Sequence, residues 1–175
     1  DRGDLLFQCG QVIAAHAEEL MFIESRDSGG TIRRASGMDI PGIIDLVGYY
    51  ADLIKTTSNI VDLATKPLPE ATHAQVWQEA IGVCALITPW NFPSAMLTRK
   101  AGPALAVGCT FVMKPAKETP LSAIALVELA HRAGIPKGVL NLVVGNSSSA
   151  IGNELTASPM VKKLTFTGST SVGKQ

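Results

Sequence analysis

The 175-residue sequence has no run of about 18 apolar residues, the length that a membrane-spanning helix needs. It also has no net charge. Fifteen basic and fifteen acidic side chains cancel, and that balance argues against nucleic-acid binding through bulk charge. Cysteine is scarce. Cys9, Cys84 and Cys109 are odd in number, far apart and flanked by apolar residues. They read as buried thiols of a reducing compartment, not as disulfides or a zinc site. His16, His73 and His131 are equally scattered, and neither His-Glu-x-x-His nor Cys-x-x-Cys occurs, so no metal is expected. The N-terminus does not run from a basic segment through an apolar stretch to a cleavage site, so no secretory signal is read. A cytoplasmic location is expected, with a mitochondrial matrix compatible if a transit peptide was lost. Internal repeats and low-complexity tracts are missing as well. The chain begins at Asp1 rather than at methionine and stops at Gly173-Lys174-Gln175 without a closing element, which reads as a piece of a longer protein.

What is present is a core. Hydrophobic residues make up 46% of the chain, too many for a disordered segment, and the length suits one domain. The first part is helical by period. Leu5, Leu6, Cys9, Val12, Ile13, His16, Leu20 and Ile23 recur at spacings of three and four, and the stripe ends at Asp27-Ser28-Gly29-Gly30. A second helix is expected from Pro41 to Lys55, with Ile44, Val47, Tyr50, Ala51 and Ile54 on one side. His16 and Tyr50 read as packing residues. The stretch 56–75 is polar and broken by Pro67 and Pro69, a connection or an extended arm.

Then the period changes. Gln75–Glu79 suits a strand, and Ile81–Ile87 is an apolar run that fits a strand buried on both faces. A helix follows Pro93, and Cys109–Lys114 is a strand. Thr119-Pro120 supplies an N-cap and a first-turn proline for a helix that carries Glu128, His131 and Arg132 on a solvated face and stops at Gly134. Val139–Val144 is a strand, Ile151–Leu155 a helix and Val161–Phe166 a strand. This alternation means βαβ units and a parallel sheet, an α/β class. Ligands of such sheets bind beyond the carboxyl ends of the strands.

Four loops lie there. In Thr88-Pro89-Trp90-Asn91-Phe92-Pro93, two prolines hold an indole and a carboxamide on extended backbone. The segment suits either an oxyanion donor or a turn with an aromatic plug. In Lys114–Pro120 the lysines suit a nucleotide's phosphate or hydroxyl groups, or else a solvated charge pair at a helix start. Gly145–Gly152 is a glycine- and serine-rich turn that does not match Gly-x-Gly-x-x-Gly. In the fourth, Gly168, Gly173 and Lys174 satisfy Gly-x-x-x-x-Gly-Lys. Gln175 stands where a nucleotide triphosphatase loop needs a serine or threonine for magnesium, which argues against that loop.

Thr88–Pro93, Lys114-Pro115-Ala116 and Phe166-Thr167-Gly168-Ser169, in this order and each after an expected strand, resemble the aldehyde dehydrogenase superfamily. Asp27-Ser28-Gly29 is similar to the end of that family's early helix. Within the family, Ser94–Thr110, Ala133–Val139 and Ile151–Leu155 are most similar to the succinate-semialdehyde dehydrogenases.

The resemblance implies an aldehyde dehydrogenase fold in part: a Rossmann-like parallel sheet with flanking helices, preceded by N-terminal helices. Residues 1–175 would be the N-terminal part of the NAD(P)-binding domain, with an oligomerisation arm near 58–81 and no catalytic domain in the chain. It implies oxidation of an aldehyde to an acid with NADP or NAD. A cysteine thiolate attacks the aldehyde, an amide holds the oxyanion, hydride leaves for the nicotinamide, and glutamate-activated water releases the acid. Asn91 matches the amide donor. Trp90, Asn91, Lys114, Pro115, Ala116, Lys117, Gly152, Gly168 and Ser169 match cofactor-lining positions, with Lys114 at the adenosine ribose. Arg99 matches a position linked to the substrate's distal carboxylate. Many NAD-preferring relatives carry glutamate where Lys117 stands, and an ammonium there favours a 2′-phosphate, with Glu118 close enough to pair with it. The nucleophile and the base would lie beyond Gln175, leaving the chain inactive alone. Succinate semialdehyde is the expected substrate, and the intact protein is expected to form homodimers or homotetramers. Two alternatives stay open: an enzyme for a betaine or aliphatic aldehyde, and a non-catalytic nucleotide-binding module.

Overall fold

A computed structural model describes residues 1–62 and 74–175. His73, Pro67, Pro69 and the middle of the expected arm fall outside the described residues. The first helical stripe forms two helices, α1 (Arg2–Ala15) and α2 (Ala17–Ser28), where the sequence reads as one. The break is at His16, whose Nδ1 lies 2.8 Å from the Val12 carbonyl oxygen and whose backbone leaves the helical region. The apolar period runs on across the break, so the pattern alone does not reveal it. Gly29 ends α2 with a φ of 70°, the left-handed conformation that glycine adopts without steric cost.

A short helix, α3 (Ile32–Arg34), passes through a π-helical turn at Ala35–Asp39 into α4 (Ile40–Thr56), so helical structure begins earlier than the expected Pro41. His16 and Tyr50 are half-buried packing residues. Tyr50 packs so closely on α5 (Pro93–Ala106) that a Cβ on Gly102 would sit 2.6 Å from its ring.

Ile60–Asp62 (β1) and Gln75–Trp77 (β2) pair antiparallel as a separate two-stranded ribbon, exposed along its length. The main sheet is parallel: β3 (Val83–Ile87), β4 (Thr110–Lys114), β5 (Leu140–Leu142) and β6 (Val161–Phe166), in the order β5-β4-β3-β6. The connecting helices are α5, α6 (Leu121–Arg132) and α7 (Ser148–Ala157), and α8 (Thr170–Gly173) follows β6. This is the expected Rossmann-like arrangement. Strand order reverses between β3 and β6, the place where such sheets leave a crevice.

Cys84, Ala85 and Leu86 are buried in succession, as a strand covered on both faces requires. Phe111, Met113, Leu126, Ile40 and Ile43 continue one core from the sheet through α6 to the N-terminal helices. β6 differs. It is an edge strand of the described sheet, and Leu164 is 42% exposed.

The expected N-cap of α6 is not the one observed. The helix starts at Leu121, one residue after Pro120, and the Thr119 hydroxyl is buried without a partner. The Ser122 amide donates instead to Asp27 Oδ2, at 3.0 Å, from the end of α2. The solvated face of α6 is as expected, with Arg132 Nε donating to Glu128 Oε1 at 2.9 Å.

Candidate functional site

The ladder of the sheet continues one residue past its strands. The Thr88 amide donates to the Lys114 carbonyl, the Thr167 amide to the Ile87 carbonyl and the Val143 amide to the Met113 carbonyl. These bonds hold the loops after β3, β4 and β6 side by side at the carboxyl rim. Between them opens a cleft of about 890 Å³. It is lined on one side by Trp90, Asn91, Lys114, Ala116 and Lys117, and on the other by Gly152, Gly168 and Ser169. Eight of the ten candidate residues therefore meet in one place.

Two do not. Pro115 is buried behind the rim, where its carbonyl accepts from Lys114 Nζ at 3.3 Å. Arg99 is exposed on α5 and does not line the cleft.

Lys114 is the buried cation of the site, with 6% of its surface exposed. Burial lowers its pKa from the usual lysine value, since the charged form loses water. Nearby Glu118 opposes that shift and Lys117 adds to it. Lys117 and Glu118 are both exposed, and their charged groups are 4.0 Å apart. An exposed pair of that length contributes little, so the ammonium is available to an anion.

Trp90 presents a 59% exposed indole to the cleft. Phe92, next to Asn91, is held by Arg34, whose guanidinium carbon lies 4.8 Å from the ring centroid. Arg34 is itself fixed by Asp39 Oδ2 at 2.8 Å and by the Ser28 hydroxyl at 3.1 Å. On the far wall a Cβ on Gly168 would fall 2.5 Å from Cζ of Phe166. A larger residue there would have to displace that ring. The Gly-x-x-x-x-Gly-Lys segment does not form a phosphate loop: α8 starts at Thr170 and ends at Gly173, so the lysine follows the helix instead of opening it.

On the far wall sequence reasoning named Gly152, Gly168 and Ser169 and missed their neighbours Asn153, Thr156 and Leu164. Ser148, Ser149, Gly152, Asn153 and Thr156 form a small polar face of α7 toward the cleft, and Leu164 and Phe166 add apolar surface. The spacing of three and four along α7 was a usable signal. Cys9, Cys84 and Cys109 are buried and do not line the cleft. Burial pushes the Cys9 and Cys84 thiols up to about 11, with neighbouring Cys109 adding to the shift at Cys84. Thiols so placed are poor nucleophiles.

The profile of the aldehyde dehydrogenase family matches residues 1–175. The succinate-semialdehyde dehydrogenase [NADP(+)] GabD of Escherichia coli is 66% identical over 176 residues, covering 100% of this chain and 35% of that protein. A glutarate-semialdehyde dehydrogenase of Pseudomonas aeruginosa is 67% identical over 100 residues, covering 57% of this chain and 20% of that protein. Among solved structures, betaine aldehyde dehydrogenase from Staphylococcus aureus in complex with NAD+ superposes with a TM-score of 0.92 at 34% identity, covering 99% of this chain and 33% of that one. The chain thus spans about a third of the length of the first of these relatives.

Proposed function

Because this chain belongs to the aldehyde dehydrogenase family, we propose that it is the cofactor-binding portion of an enzyme that oxidises succinate semialdehyde to succinate with NADP or NAD. The observation that carries this reading is the convergence of Asn91, Lys114, Lys117 and Gly168 on one cleft at the carboxyl rim. The cleft fits a dinucleotide. Its volume is within the range of cofactor sites, roughly 300–1,000 Å³. Its lining includes a buried ammonium, hydroxyls on α7 and a glycine turn.

The bound cofactor supplies a hydride acceptor. The chain's own residues do the rest of this half of the work. Asn91, on backbone stiffened by Pro89 and Pro93, donates its amide to the oxygen that becomes negative when the aldehyde is attacked. Lys114 Nζ, now turned to its neighbour's carbonyl, is the donor for the ribose hydroxyls. Lys117 faces the 2′ position, where its charge favours the phosphate of NADP. Trp90 and Phe166 are apolar surfaces that keep water from the rim. On this reading the cysteine nucleophile and glutamate base lie outside residues 1–175, which cover 35% of the first relative. The buried cysteines here support that assignment.

We further propose that the exposed ribbon of β1 and β2 packs between subunits of the intact protein as homodimers or homotetramers. Its apolar side chains Ile60, Val61, Val76 and Trp77 all face solvent, with Trp77 63% exposed. Among the described residues no helix is long and apolar enough to cross a membrane, and the three free thiols suit the reducing cytoplasm.

The test is formation of reduced nicotinamide by the intact protein with succinate semialdehyde, glutarate semialdehyde and betaine aldehyde in parallel. A kcat/KM highest for succinate semialdehyde is expected. A higher value for betaine aldehyde would overturn the substrate assignment. Turnover by residues 1–175 alone would overturn the placement of the nucleophile.

A further inference from the structure

Glu24 is fully buried, at 0% exposure, and belongs to no part of the cleft. It lies on α2, one turn before Asp27, and its carboxyl faces the side chains of Ser94 and Ser122 and the Ser94 amide. Ser94 is 1% exposed in the first turn of α5, and Ser122 is 2% exposed in the first turn of α6. Neither carboxyl oxygen makes a hydrogen bond of full length and angle to these groups, and both serine hydroxyls are likewise without one. Buried polar atoms in this state are costly and call for a reason.

The two first turns have something in common. The one at Ser94 follows directly on the loop that carries Trp90 and Asn91. The one at Ser122 follows the loop that carries Lys114 and Lys117. Neither helix has a side-chain cap of its own. Asp27 takes the Ser122 amide, and Arg34 lies against the Phe92 ring, so α2 touches the first turn of α6 and its successor touches the loop before α5.

We propose that Glu24 is a positioning residue that sets the Trp90-Asn91 loop and the Lys114–Lys117 loop relative to each other across the first turns of α5 and α6. This rests on the aldehyde oxidation proposed above. The oxyanion donor and the ribose-binding lysine must act on one bound cofactor and substrate, and a shift of about 1 Å between such groups costs on the order of 100-fold in rate. The carboxyl occupies a gap where three polar groups converge, and a leucine there would satisfy none of them.

The test uses the intact protein with four variants: Glu24→Leu, Glu24→Gln, Ser94→Ala and Ser122→Ala. Active sites are titrated, so that loss of folded protein is separated from loss of geometry. NADP affinity is measured by equilibrium titration alongside kcat and KM. Glu24→Leu is expected to lower kcat per active site and to raise the NADP Kd, each about 10-fold or more. Glu24→Gln, of the same shape, is expected to restore most of both. Ser94→Ala is expected to act mainly on kcat, and Ser122→Ala mainly on the NADP Kd. Should Glu24→Leu not fold, the two serine variants carry the test. A lower melting temperature with kcat and Kd per active site unchanged would overturn the inference and leave Glu24 a packing residue. A wild-type protein that binds NADP but oxidises no aldehyde would instead overturn the proposed function, with the Kd arm still reading the loop geometry.

Discussion

The two walls of the cleft are built differently. The wall on β3 and β4 stands on the core. Thr88 and Lys114 are buried, Phe111 and Met113 lie beneath, and α2, α3 and the turn after it brace the loops from behind. The wall on β6, α7 and α8 is mostly exposed, with Gly152 and Phe166 half-buried and Leu155 its buried member. The proposed function needs precise charge placement at Asn91 and Lys114, and that is the wall the core supports. The far wall contributes glycine turns and hydroxyls to the cleft lining.

If this contrast is right, substitutions on the two walls should differ most in stability. Phe111→Ala is expected to cost about 3–5 kcal/mol in a denaturant titration, and Leu164→Ala less than about 1 kcal/mol. Equal costs would show that β6 is covered by a further layer. Next in size, Asn91→Ala in the intact protein should lower kcat by about 100- to 1,000-fold with NADP affinity nearly unchanged. A parallel loss of affinity would mean that the residue holds the cofactor and not the oxyanion. Smaller again, Lys117→Glu should shift the ratio of kcat/KM for NADP over NAD by about 10-fold toward NAD, or about 1.4 kcal/mol. The salt-weakened pair with Glu118 leaves that charge free to act.

The smallest effect concerns the bracing layer. Burial raises the Glu24 pKa, with Asp39 adding to the rise and the Ser122 and Ser94 groups opposing it. A carboxyl raised on folding contributes stability in full below its ordinary range and loses it as pH climbs through the raised value. Glutamine does not titrate. The melting temperature of Glu24→Gln relative to wild type should therefore rise as pH increases above about 4. A difference that is flat with pH would place the charged form comfortably in the native state.

Much of the buried wall was legible beforehand. Ile81–Ile87 and Cys109–Lys114 are short apolar runs with no helical period, and the loops after them carry distinctive residues in a fixed order. The far wall was harder to read, because Ser148, Asn153 and Thr156 are ordinary surface residues until α7 turns them toward the cleft. The α6 cap was illegible for a different reason. Thr119-Pro120 is a sound local signal, yet the cap comes from Asp27, 95 residues earlier, through a contact that only the packed fold creates. His16 shows the reverse problem, since a continuous apolar stripe hides a break in the backbone. Arg99 was singled out by the resemblance as a substrate contact and not a cofactor contact, and it lies exposed on α5 outside the lining of the cleft.

The proposed function stands on a dinucleotide bound in the cleft with Lys114 as its buried anchor. The most direct test is equilibrium titration of the intact protein with NADP and NAD, for the wild type and for Lys114→Met. Loss of a hydrogen bond from a charged group costs about 1.5–3 kcal/mol. Saturable binding by the wild type, weakened about 10- to 100-fold by Lys114→Met for both cofactors, is the predicted result. Binding that is indifferent to Lys114→Met, or no binding at all, would contradict it.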